Sequence, residues 1–441
     1  MRTVLLASLI AATTPALLSA QAPAYMAQQA SPLLVRRAHD LLAVMNGAGD
    51  VSQLFAPDML AQVPEARLRA ITAQISAQLG SATGIGPLIA LSPTSATMRM
   101  IFEKGSADMV LAIGPEPGGQ IVGWRITGIQ NAAVARLATL DDVAAAIGAL
   151  PGATGFTVAD LTHPDTPLAA LGPAHPLAIG STFKLVVLAE LVRAVNAGER
   201  HWVDSVTLDG SELPAGGFNR LPAGSKVLLR SLAEAMIRVS DNSAADVLIH
   251  TLGRERIEAM QIGLGWHNAN INAPFLTTME LFKLKGVGDG ALGRRYLGLD
   301  EAGRRALLAG EVARTPGSQV GALFVDGKPV MIDRLEWFAS PADLVRTMAW
   351  LDVHRATPGG AEAMRILALN PGIAPALAGK FAYVGYKGGS EPGVISMTLL
   401  LRSKDEGARV VSASWNNAQA AIDEATFVSL VSRAAELLST Q

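Results

Sequence analysis

Apolar residues recur at helical spacing in two stretches near the start of the chain, "SPLLVRRAHDLLAVMNGAGD" from Ser31 and "PEARLRAITAQISAQLG" from Pro64. A Gly-rich break separates them, and each predicts an amphipathic helix. From about Ile85 the period changes. "TSATMRMIFEKG", "DMVLAIGPE" and "GQIVGWRITGI" alternate or run apolar between Gly and Pro turns, which predicts a meander of antiparallel strands. Further on, "TLDDVAAAIGAL" predicts a helix and "TGFTVADL" a strand. "AIGSTFKLVVLAELV" starts another helix with Ser181 in its first turn, and "LAEAMIRVSDNSAADVLIHTLG" sets Ser240-Asp241-Asn242 between two helical segments. "YVGYKGGSEPGVISMTLLLR" places Lys387 to Ser390 at the start of a strand-like run. Residues from about Val287 to Phe338 form a long insertion whose pattern predicts a surface helix plus a hairpin that could lid a cleft.

The 441 residues allow two or three domains, and half of them are hydrophobic with 17% charged, enough for a large core. A net charge of -2 and no long Lys/Arg run leave no electrostatic footprint for nucleic acid. The first residues, "MRTVLLASLIAATTPALLSAQAPA", read as a signal peptide over 1–22, cleaved after Ala20 or Ala22, which predicts a periplasmic or secreted protein. No later stretch is apolar for long enough to span a bilayer. Without cysteine the chain has no disulfide and no thiolate nucleophile, and no H-E-x-x-H-like cluster offers a metal site, so neither metal nor cofactor is expected. Residues 23–133, helices first and a curved sheet after, resemble the small ketosteroid-isomerase-like α+β cone fold. An isomerase site of that family wants a buried tyrosine, and this segment offers only Tyr25, so a scaffold or substrate-shaping role is expected.

Ser181 in a first helical turn lies where unpaired backbone N–H groups favour negative charge, and Lys184, three residues on, returns to the same face. A lysine amine kept neutral by burial can take a serine proton. Taken alone, the pair is better read as a capping serine followed by a snorkelling lysine, since about one S-x-x-K match is expected by chance in such a chain. The order S-x-x-K, S-D-N and K-G-G is much harder to obtain by accident, and it resembles the S-x-x-K, S-D-N, K-T-G set of class A β-lactamases and penicillin-binding proteins. Residues 134–441 therefore resemble the serine β-lactamase-like family. That resemblance implies a catalytic domain with an antiparallel sheet flanked by helices plus an all-helical subdomain, following the cone-like domain.

The resemblance also implies roles. Ser181 would be the nucleophile and Lys184 its proton acceptor. Ser240 would protonate the leaving group with Lys387 behind it, and the N–H groups of Ser181 and Ser390 would form the oxyanion hole. Asn242, Gly388, Gly389 and Ser390 would line the substrate, and Asp241 would point inward and hold its turn. Two departures stand out. Gly388 lacks the hydroxyl of K-T-G, and the E-x-x-L-N segment that carries the deacylating glutamate is missing. "NAPFLTTMELFKLKG" offers Glu280 in its place, though a charge in a first helical turn is the plainer reading. With the N-terminal domain, these departures resemble the cephalosporin-esterase subgroup of clavulanate gene clusters. The histidines His175, His201, His250 and His267 show no paired Asp at a telling position and are read as structural, without a Ser-His-Asp triad. Three functions stay open: a serine hydrolase of a small-molecule β-lactam or ester, a penicillin-binding sensor or peptidase-like protein that deacylates poorly, and a non-catalytic interaction protein.

Overall fold

The computed structural model describes residues 30–440 apart from 116–117, 322, 325–326 and 406, so the signal-peptide reading and Tyr25 lie outside the described residues. The two predicted N-terminal helices form at Pro32–Met45 and Glu65–Leu79. Ser31 caps the first by accepting the Leu34 N–H at 3.1 Å, and Pro32 follows in the first turn, where its missing N–H costs nothing. The predicted meander forms at Ser95–Phe102, Gly105–Ile113 and Ile121–Asn131, joined by the short strands Ala82–Ile85 and Ile89–Ser92 in one antiparallel sheet. Alternation decides its faces. Met98, Met100, Phe102, Ala107, Met109 and Leu111 point to a core with Leu34, Leu41, Val44 and Phe55. The opposite face carries Arg99 directly across from Asp108, bonded at 2.7 and 3.0 Å.

A second antiparallel sheet of five strands runs in the order Tyr383–Glu391, Val394–Arg402, Ala408–Asn416, Ala153–Asp160, Pro167–Leu171. Helices cover both faces. Leu140–Gly148 and Glu424–Leu438 pack on one, around Phe156, Leu399, Val411 and Phe427. The helix Lys184–Asn196 and its neighbours pack on the other. The strand Val394–Arg402 is buried on both faces, which explains its mostly apolar run VISMTLLL, whose Ser396 and Thr398 hydroxyls pair with Ser414 and Ser412 on the next strand. The helix Lys184–Asn196 is likewise buried nearly all round, as its run KLVVLAELV requires. Its one buried carboxylate, Glu190, is held by Arg193 at 2.7 and 2.8 Å.

The insertion departs from the sequence reading. Helices form at Ala291–Leu297 and Glu301–Leu307, but among the described residues no hairpin follows. Gly321, Gly327, Pro316 and Pro329 interrupt the short apolar runs there, and tertiary anchors decide the path instead. One anchor is ionic. Lys285, fully buried, reaches Glu336 at 3.2 Å and Glu391 at 2.5 Å, so it joins the helix Thr278–Gly286, the end of the insertion and the end of the edge strand. Burial alone would depress the lysine, yet the two carboxylates outweigh it and hold it above its ordinary value. Burial and then the charge of Glu336 push Glu391 up to about 8.

Lys285→Ala leaves the buried Glu336 carboxylate, with the Glu391 carboxyl beside it, without a cation, and a loss of about 3–5 kcal/mol is expected in chemical unfolding. Because the folded-state value of Glu391 lies above its ordinary 4.5, its contribution is fully present below pH 4.5 and is lost as pH rises through about 8. Unfolding curves across that window should show this decline in the native chain and a shallower one in Glu391→Gln.

Candidate active site

Ser181 lies in the tight turn Gly180–Phe183, immediately before the helix Lys184–Asn196. The turn is fixed from below. Phe183 stacks on Trp337 with ring centres 3.9 Å apart and meets Phe275 edge-on at 5.8 Å. Lys184 follows at once and is fully buried. Its amine lies 3.1 Å from Ser181 Oγ, 2.7 Å from the Ser240 carbonyl, 3.2 Å from Ser240 Oγ and 2.7 Å from Asn242 Oδ1. An ammonium has three hydrogens for these four acceptors, and a neutral amine has two hydrogens and a lone pair. Burial brings Lys184 down to about 7, against the opposing charges of Asp246 and Asp241. Near neutral pH a large fraction of the amine is therefore free to accept a proton beside the Ser181 hydroxyl.

Ser240 occupies the turn between the helices Leu229–Arg238 and Asn242–Leu252, with φ at 57°. The left-handed region disfavours a residue with a Cβ by about 1–2 kcal/mol. Asp241 holds the turn in that shape. Its carboxylate accepts from Ala244 N at 2.8 Å, Ser243 Oγ at 2.6 Å and Gly217 N at 2.5 Å. The Ser240 hydroxyl is thereby aimed between two lysines, since Lys387 Nζ approaches it at 3.0 Å from the far side. Lys387 is held well below its ordinary value, by burial first and then by the charge of Lys184. Asn242 spends its carbonyl oxygen on Lys184, which leaves its amide N–H groups for another partner.

Lys387 to Ser390 stand in the second half of the strand Tyr383–Glu391, ahead of the turn to Val394, and not at the start of a strand. This is the edge of the sheet, so alternate N–H groups have no strand to bond. It runs against the Ser181 turn at a distance that only glycine permits. A Cβ on Gly389 would stand 2.3 Å from both Ser181 N and the Ile179 carbonyl, and one on Gly180 (φ 47°) would stand 3.2 Å from Ser390 N. A Cβ on Gly388 would strike the Tyr386 hydroxyl at 2.0 Å. The backbones carrying the Ser181 and Ser390 N–H groups are thus brought side by side.

Glu280 does not join this cluster. It is the third residue of its helix and forms a capping box with Thr277, at 2.8 and 3.2 Å, while its other oxygen accepts from Arg254 at 2.7 Å. Lys283 and Lys285, which crowd the same stretch in the sequence, turn away to Glu212 and to the buried carboxylates. Residues 273–277, A-P-F-L-T, lead into this helix and contain no carboxylate. Its Phe275 packs on Phe183, so this stretch abuts the Ser181 turn and brings no carboxylate there. A buried carboxylate that spacing did not single out is Asp246, which accepts from Thr278 N at 2.7 Å and Met279 N at 2.9 Å and fastens that helix down. Burial raises it to about 6, against those two N–H groups.

The histidines take no part in the cluster, although two of them do have carboxylate neighbours. His267 meets Asp343 at 3.0 Å, and His201 lies 3.6 Å from Asp204. Asp343 is the capping-box partner of Ser340, bonded to its hydroxyl at 2.7 Å. Among the described residues no group of three or more His, Asp or Glu is placed to hold a metal, and no helix is long and apolar enough to cross a membrane.

The profile of the β-lactamase enzyme family matches residues 138–436. Among solved structures the chain is similar to a β-lactamase from Sphaerobacter thermophilus, at 20% identity over 68% of this chain and 95% of that one, with a TM-score of 0.46. It is similar to PBP-A at 17% identity, over 68% and 93%, with a TM-score of 0.48. It is also similar to a β-lactamase from Chitinophaga pinensis at 15% identity, over 68% and 96%, with a TM-score of 0.44. No curated protein matches. The fold over about two thirds of the chain is the β-lactamase/transpeptidase fold, and the N-terminal α+β region stands outside it.

The contact at Gly389 is backbone against backbone, so Gly389→Ala must push the edge strand off the Ser181 turn. A loss of about 1–3 kcal/mol in chemical unfolding is expected. Gly263→Ala, where an added Cβ meets open space at a helix end, should leave stability unchanged or raise it by up to about 1 kcal/mol.

Proposed function

The chain belongs to the β-lactamase enzyme family, and on that basis we propose that it is an exported serine hydrolase that forms an acyl-enzyme on Ser181 with a β-lactam or an ester, including cephalosporin-type esters. The observation that supports this reading is the Lys184 amine 3.1 Å from Ser181 Oγ, with Ser240 Oγ held between Lys184 and Lys387 at 3.2 and 3.0 Å. Neutral Lys184 takes the Ser181 proton as Oγ attacks the carbonyl carbon. The oxyanion then forms against the N–H groups of Ser181 and Ser390, an interaction worth about 3–4 kcal/mol per donor in comparable hydrolases. Ser240 gives its proton to the departing nitrogen or oxygen and recovers one from the flanking lysines. An arriving substrate carboxylate would favour the charged form of Lys387, against the burial that lowers it. Asn242 offers its N–H groups to a substrate amide.

Release of the acyl group requires water, and no carboxylate is among the groups bonded to Lys184 and Ser240 to activate it, since Glu280 is engaged by Thr277 and Arg254. Lys184, neutral again after the first proton is passed on, is the base beside the ester. This absence favours a second reading, a penicillin-binding sensor or peptidase-like protein that keeps its acyl group for long times. The proposal also includes export, with residues 1–22 as signal peptide, and a ketosteroid-isomerase-like scaffold at 23–133 that shapes access to the 134–441 domain.

The test is intact-protein mass spectrometry of the mature chain and of Ser181→Ala, after mixing with a penicillin, a cephalosporin carrying an ester and p-nitrophenyl acetate. A mass increase that requires Ser181 and decays as product accumulates supports the hydrolase. A persistent increase supports the slow-release reading. No increase and no product with any of the three would sink both.

A further inference from the structure

Away from the serine–lysine cluster, a cavity of about 800 Å³ opens between the outer face of the N-terminal sheet and the helix Glu424–Leu438, closed at one side by residues 370–377. Such a volume suits a small ligand, and a junction of two structural units is a common place for one. None of Ser181, Lys184, Ser240, Asn242, Lys387 or Ser390 lines it.

The walls have two chemistries. Val134, Ile373, Leu377 and Val428 give an apolar wall from the second unit, while Ile126 and Ile129, paired with Met109 and Ala107, turn their side chains to the N-terminal core and offer the cavity their backbone. The polar part is unevenly charged. Arg99, Arg125, Lys380 and Arg433 face two carboxylates, Asp108 and Glu436. Asp108 is taken by Arg99 at 2.7 and 3.0 Å, and Glu436 is shared between Arg433 at 2.6 Å and Lys380 at 3.8 Å. The side chain of Arg125, exposed on the strand Ile121–Asn131, has no hydrogen bond or ion pair within the described residues. One guanidinium therefore stands without a counter-ion at the edge of an apolar chamber whose carboxylates are already engaged.

We propose that this cavity is a second ligand site, for an amphipathic organic anion whose carboxylate pairs with Arg125 and whose hydrocarbon body lies on the apolar wall. A planar guanidinium binds a carboxylate through two parallel N–H bonds, so a single acid group satisfies it. Lining by residues of both units means that a bound molecule touches both. The site does not depend on the chemistry at Ser181.

Isothermal titration calorimetry of the mature chain with decanoate and with decanol tests this directly, beside Arg125→Glu and Ser432→Trp. Among the described residues the Arg125 side chain has no partner to lose, and Ser432 lines the cavity from the helix. Saturable binding of decanoate is expected, weakened roughly tenfold to a hundredfold by Arg125→Glu, as the loss of a charged hydrogen bond and its inversion would give. Decanol should bind more weakly than decanoate and be little changed by Arg125→Glu, and Ser432→Trp should exclude both. Absence of decanoate binding, equal binding of acid and alcohol, or binding untouched by both substitutions would each overturn the proposal.

Discussion

The site is organised by one buried amine. Lys184 has no exposed surface, and taking its charge out of water would be costly if oxygen atoms did not surround it. They come from three directions: the Ser181 hydroxyl one turn back, the carbonyl and hydroxyl of Ser240, and the amide oxygen of Asn242. Burial and the charges of Asp246 and Asp241 oppose one another, and the balance near pH 7 leaves the amine able to hold or release a proton at little cost. The left-handed turn at Ser240, the carboxylate of Asp241 that holds it and the aromatic stack under Phe183 all serve to keep this arrangement closed.

The second constraint is steric. The edge strand must approach the Ser181 turn closely enough for the Ser390 and Ser181 backbones to lie side by side, and the glycines at 180 and 389 are what make room. The strand is held at that same end by Glu391, which meets Lys285 and through it Glu336 at the end of the insertion. Loss of the hydroxyl at Gly388, noted as a departure in the sequence, thus falls where an added side chain would also collide with Tyr386. The strand fits its surroundings as well as its chemistry.

Much of this was legible in the sequence because the relevant spacings are local. Ser181 and Lys184 are one helical turn apart, Ser240 to Asn242 form a continuous turn, and the apolar run after Lys184 marks a helix buried on all sides. What was not legible depends on residues far apart in the chain. Lys285 pairs with residues 51 and 106 positions away, and no periodicity announces such a partner. Asp246 looks like any helical carboxylate until Thr278 and Met279 are folded onto it. Glu280 drew attention as a lone acid, yet the preceding Thr277 already marked a capping box, and reading T-x-x-E there would have identified it. The insertion failed as a hairpin because short apolar runs between Gly and Pro fit a loop anchored by distant contacts equally well.

The account rests on a substantial share of Lys184 being neutral near pH 7, where Ser181 must lose its proton. The most direct test is an NMR titration of the chain labelled with ¹³Cε-lysine, with the Lys184 resonance assigned from Lys184→Met. A resonance absent from that variant and titrating near pH 7 is the expected result. A Lys184 that stays protonated to above about pH 9, as an ordinary lysine does, would contradict the account.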